Sequence, residues 1–158
     1  MSYSPPPAEA SSGLSLRPAH DLRWWQRLAL VAAGGLLVAL LATAAWLEPS
    51  RRGLGTHRQL GLPPCTILDW YGFRCPSCGM TTAWSHMMRG QVVSAIRANA
   101  GGTLLALVAA ACGPWMLVSG LAGRWLLGPP REGVTLAIGL VIVIATLIDW
   151  SFRLGLGG

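Results

Sequence analysis

The chain has little charge and no lysine. Only 11% of its 158 residues are charged, where a soluble domain carries about 25%. Much of the surface is therefore expected to face something other than water. All twelve basic side chains are arginines, scattered from Arg17 to Arg153 without a run of five like charges. That scatter excludes the basic patch a nucleic-acid partner would need. It suits attraction to anionic lipid headgroups beside apolar segments. The sequence also lacks an internal repeat, a second Cys-x-x-Cys, and the βαβ pattern that surrounds a thioredoxin-like site. No His–carboxylate pair or nucleophile–base set marks a hydrolase.

What is present is apolar, 53% of the chain. Residues 1–20 are the exception. They are rich in Pro, Ser and Ala, include Pro5-Pro6-Pro7, and are expected to be a disordered tail, since they cannot bury enough apolar surface to offset ordering. Residues 21–158 form one helical membrane domain. Arg23, Trp24, Trp25 and Arg27 make an interfacial anchor, with Trp at headgroup level and Arg snorkelling. Leu28 to Leu47 contains no charge and covers the roughly 30 Å hydrocarbon core at about 1.5 Å per residue. Glu48-Pro49 ends it. The run is longer than a signal-peptide core, so it reads as an uncleaved anchor despite Ala42-Thr43-Ala44. Ala32, Gly34, Gly35 and Ala39 offer a smooth patch for another helix.

A second span covers about residues 100–123, with Pro114 as a kink and Cys112 as a packing thiol. A third covers about 133–150, with Asp149, Trp150 and Arg153 at its interface. The fold class is thus all-α and integral to the membrane. It has three transmembrane helices plus an amphipathic interfacial or re-entrant helix after a Cys-Pro-x-Cys-Gly turn. That helix begins near Gly79, sets Met80, Ala83, Trp84 and Met87 on one face, and ends at Gly90. A further helical pattern starts at Gln91 and meets its first strong breaker at Gly101-Gly102. Thr66 to Phe73 is too short to span and is expected at the interface. Three spans put the cysteine segment and the C-terminus on one side. Seven arginines there (51, 52, 58, 74, 89, 97, 153) against five opposite (17, 23, 27, 124, 131) bias that side toward the cytoplasm.

Chemistry concentrates in Arg74-Cys75-Pro76-Ser77-Cys78-Gly79-Met80-Thr81-Thr82. Three readings stand. As a metal knuckle, Cys75 and Cys78 would share zinc with Cys65 and, as fourth ligand, His57. His86 is too distant, about 12 Å along a helix from Cys78. As a redox pair, Cys75 and Cys78 would exploit the helix N-terminus, which lowers the Cys78 thiol pKa. As a structural turn, the motif would cap the helix, with Pro76 fixing the turn and Gly79 letting the backbone pass close to both sulfurs. Thr81 and Thr82 would satisfy free donors. Asn99 would bond a neighbouring helix or contact headgroups.

The run Cys75 to Ala83, Arg89-Gly90 and Ala98-Asn99 resembles the bacterial membrane family called domain of unknown function 2752, over roughly residues 60–120. Here Ala100 stands where the family has Pro, and Thr82 where Arg is common. The resemblance implies a bacterial multi-pass membrane protein, in the inner (plasma) membrane, and implies no activity. The reading is a non-enzymatic membrane subunit with a structural cysteine motif and zinc as the possible cofactor. Its partners would be the lipid bilayer and a helix-packing protein or a second copy. The alternative is a membrane thiol-disulfide oxidoreductase using Cys75 and Cys78.

Overall fold

The computed structural model describes residues 21–156, so the expected tail lies outside the described residues. Those residues form α1 (Trp24–Trp46), a short 3-10 helix (Thr56–Leu60), α2 (Thr66–Tyr71), α3 (Met80–Met87), α4 (Val92–Ala98), α5 (Ala100–Ala122) and α6 (Glu132–Leu156). No strand occurs among them. The helices α1, α5 and α6 are long and apolar enough to cross a membrane. The chain is an all-helical membrane protein with three candidate spans.

The helix bounds extend beyond the apolar runs for local reasons. The first begins at Trp24 rather than Leu28, because the Gln26 side chain turns back to accept from the Arg23 amide at 2.9 Å. The third runs on past residue 150, through an Asp149–Arg153 ion pair one turn apart (2.5 Å). Such a pair supports a helix.

The most extensive packing lies between α1 and α5 and depends on glycine. A methyl group on Gly34 would stand 2.5 Å from the Leu117 amide nitrogen and 2.9 Å from the Gly113 carbonyl oxygen. From the other side, Gly113 meets Leu37 and Gly120 meets Val31. Only one member of the expected smooth patch belongs to this seam. Gly35 has open space where its Cβ would be, and Ala32 and Ala39 are exposed, because the four residues straddle more than one helix face. Arg27 does more than snorkel. Its guanidinium donates to the Gly120 and Leu121 carbonyls, both at 3.3 Å, and so caps the C-terminal end of α5 where carbonyls lack helical partners. The Leu22 amide donates to Gly123 O at 2.9 Å. The start of α1 and the end of α5 are therefore fastened together.

The opposite end carries α3 and α4, and there the pattern is inside out. The buried residues of α3 are Thr82, Ala83 and Ser85, and those of α4 are Ala95 and Ala98. The large apolar side chains Val92, Val93 and Ile96 are exposed. Sequence period had set Met80, Ala83, Trp84 and Met87 on one face. The structure buries small and polar residues, as helices do when their surroundings are as apolar as their side chains. Thr82 Oγ1 lies 2.8 Å from Thr56 Oγ1, and Ser85 Oγ donates to Leu47 O at 2.5 Å, so these hydroxyls tie α3 to the 3-10 helix and to the end of α1.

The break between α4 and α5 falls at Asn99, not at Gly101-Gly102. Asn99 is extended (φ −168°, ψ 111°), and both glycines lie inside α5. They admit neighbours: a Cβ on Gly101 would collide with Thr146 of α6, and one on Gly102 would press Met80.

Candidate three-thiol site

The turn before α3 is built from its own backbone and from two distant helices. The Cys78 amide donates to Cys75 O (3.0 Å), and the Met80 amide donates to Ser77 O (3.1 Å). Asn99 Nδ2 donates to Pro76 O at 2.9 Å and Cys78 O at 3.2 Å. Trp150 Nε1 donates to Arg74 O at 2.7 Å, and Arg153 Nη1 approaches Cys78 O at 3.4 Å. Every carbonyl from Arg74 to Cys78 thus has a partner. Asn99 also caps α5, its Oδ1 accepting from the Gly102 amide at 2.6 Å. Fully buried, it serves the start of one helix and the turn before another. It reaches a turn and its own helix, not a headgroup.

Gly79 is the N-cap of α3, in the left-handed region at φ 87°. Its missing side chain makes room for the Ala98 and Gly53 carbonyls, rather than for the sulfurs. Cys78 stands immediately before it. The threonines do not cap: no side-chain cap bond is made at this helix start, Thr82 pairs with Thr56 instead, and Thr81 lines the adjoining cavity.

The sulfurs converge. Cys75 Sγ lies 3.1 Å from Cys78 Sγ and 3.5 Å from Cys65 Sγ, and all three lie within 4.8 Å of one another. Cys65 is brought in as the N-cap of α2, after Pro63-Pro64. All are free thiols, as is Cys112 in α5. His57 is not brought into the cluster. It lines the same cavity, but its Nε2 lies 3.2 Å from Pro63 O. His86 stands at the far end of α3, against Gln91 (2.6 Å).

The two motif thiols differ in acidity, in the reverse of the order the helix dipole suggests. For Cys75, burial opposes ionisation, but hydrogen bonds from Ser77, Cys78 and Cys65 outweigh it and lower the pKa to about 7. For Cys78, burial and the neighbouring Cys75 and Cys65 thiols push the pKa up to about 12.

The cluster opens on a cavity of about 640 Å³, whose wall also includes Arg52, Arg58, Asp69 and Met80. Chemically, three convergent thiols can hold a borderline or soft cation, or two of them can exchange electrons as a disulfide. Residues 65–113 match a family model. The family is described as "Protein of unknown function (DUF2752)". The DUF2752 match begins at the first thiol, contains the whole cysteine turn, α3, α4 and Asn99, and stops at the glycine that packs on α1. No curated protein and no solved structure matches the chain. Trp150 and Arg153 lie beyond the match, and reading the sequence assigned them only to the interface. No local signal links them to the motif, 76 and 75 residues away.

Proposed function

We propose that this is a non-enzymatic membrane protein of the bacterial plasma membrane, and that Cys65, Cys75 and Cys78 hold a zinc ion. The ion would fasten the segment between α1 and α3 to the helix bundle. One observation carries the reading: three sulfurs from two separate segments lie within 4.8 Å of one another. Thiolates around zinc at about 2.3 Å would stand roughly 3.8 Å apart, so small shifts of these side chains accommodate the ion. A disulfide would use two sulfurs and leave the third without a role. The arginine bias supports a cytoplasmic cysteine side, where thiols stay reduced. The DUF2752 resemblance supports the bacterial membrane. The exposed flanks of α6 would meet lipid or a packing helix.

Metal analysis and thiol titration on the full chain in detergent test this. One zinc per chain is expected, lost in each of Cys65→Ser, Cys75→Ser and Cys78→Ser. A metal-free protein, or zinc that survives all three substitutions, overturns it. A second reading, thiol-disulfide exchange by Cys75 and Cys78, is favoured by their 3.1 Å sulfur separation. It requires a reversible two-electron couple that disappears in Cys75→Ser.

A further inference from the structure

We propose that the metal at Cys65, Cys75 and Cys78 keeps one coordination position for an anionic small-molecule thiol, which enters by the cavity in front of the cluster. This rests on the metal reading above. Zinc sites with four protein ligands are closed, and sites with three exchange their fourth. Among the described residues, no further His, Cys, Asp or Glu group joins the three sulfurs. The two nearest candidates stay out for visible reasons. His57 sits against Pro63 O. Asp69 lies one turn along α2 from Cys65, on the cavity wall, but outside the cluster.

The three cysteines share that cavity with the guanidinium-bearing Arg52 and Arg58. Neither makes an ion pair with a described residue. The cavity's volume, about 640 Å³, falls in the range of small-molecule sites, roughly 300–1,000 Å³. A ligand with a thiol for the ion and carboxylates for the arginines would use both kinds of lining group, since arginine pairs with carboxylate in fixed geometry. Thiolate is the donor this kind of site prefers. With a metal held by Cys65, Cys75 and Cys78, binding would be ligand exchange: a water would give up its place to the thiolate, and the thiol proton would pass to solvent. No electron is transferred.

The test uses the full chain in detergent loaded with cobalt(II), whose visible bands report coordination, and titrated with glutathione. A saturable band shift with cobalt retained is expected. Neutral 2-mercaptoethanol should need about tenfold more, the loss expected for a charge-assisted hydrogen bond. The double variant Arg52→Ala, Arg58→Ala should bind cobalt as before but need about tenfold more glutathione. If no cobalt binds, the metal reading itself fails. If cobalt binds and glutathione leaves the bands unmoved, or strips the ion, the exchange position is overturned and the metal reading stands. A band change in Asp69→Ala without thiol would identify a protein fourth ligand and also overturn the proposal. Equal response to both thiols, unaltered in the double variant, overturns the anion recognition.

Discussion

The helix α5 has two long neighbours, held in opposite ways. Against α1 it fits by shape, glycine to backbone at Gly34, Gly113 and Gly120. Against α6 it fits at one end only. The apolar window of α6 has no buried residue; apart from one glycine contact, Gly101 on Thr146, its ties are polar and lie near the cysteine turn: Ala100 amide to Asp149 (3.4 Å), Trp150 to Arg74, and Arg153 to Cys78. Shape complementarity is spread along a whole helix and tolerates no added atom. Polar ties are few, separable, and point at a site. The first contact reads as scaffold and the second as support for the thiols.

This contrast can be broken at either contact. The largest effect is expected for Gly34→Leu, which drives a side chain into the α5 backbone. It should cost about 3 kcal/mol or more, the upper end for overpacking, read as a drop in thermal unfolding temperature in detergent. Next comes Asn99→Ala. It leaves the Pro76 carbonyl and the Gly102 amide without partners, and the Cys78 carbonyl with only Arg153, at about 1–3 kcal/mol for each buried unsatisfied group. It should also weaken zinc binding by about 10–100-fold, as loss of a support for metal ligands does. Asn99→Asp keeps the acceptor that caps α5 but sets a carboxylate oxygen against two carbonyls in a buried position, so it should recover neither the stability nor the zinc affinity. Trp150→Phe removes a single bond to Arg74 O and should cost about 1 kcal/mol, with a smaller loss of zinc. The smallest effect is the control. Gly35→Ala meets open space and should be neutral or stabilising by up to about 1 kcal/mol through helix propensity. If Gly34→Leu and Gly35→Ala behave alike, the seam is not where the structure puts it.

The thiols supply a separate prediction within the site. In metal-free protein, alkylation at Cys75 should be slow below its pKa of about 7 and rise through it. The thiolate is the nucleophile, so a lowered pKa means reactivity at neutral pH. Cys78, whose pKa is pushed up by burial and by Cys75, should react more slowly than Cys75 at the same pH. Mass spectrometry of pulse-labelled peptides distinguishes the two. Cys78 reacting first would reverse the assignment and restore the dipole argument.

The three long helices were legible because hydropathy is a local property: twenty charge-free residues, as from Leu28 to Leu47, have few alternatives. The Cys75–Cys78 turn was legible from Pro76 and Gly79, and Cys65 from the prolines before it. Periodicity told which residues of α3 share a face, but not which face turns inward. The inward side takes one member of the apolar face, Ala83, together with Thr82 and Ser85, whose hydroxyls gain hydrogen bonds by burial. His57 entered as the fourth ligand once His86 was too far along its helix, and its bond to Pro63 O is a tertiary detail. The support from Trp150 and Arg153 had no local trace, since neither lies near the motif in sequence or continues its pattern.

The Asn99 and α6 contacts also set an order in time. Translation proceeds at about 5–20 residues per second. Asn99 follows the turn by 21 to 23 residues, so the bonds to Pro76 and Cys78 can form soon after the turn is made. Trp150 and Arg153 come 76 and 75 residues after their carbonyls, a delay of roughly 4–15 s at that rate. Through that interval the thiols already exist while their turn is only half secured. The cysteine turn is thus a late-maturing part of the molecule, completed when α6 arrives.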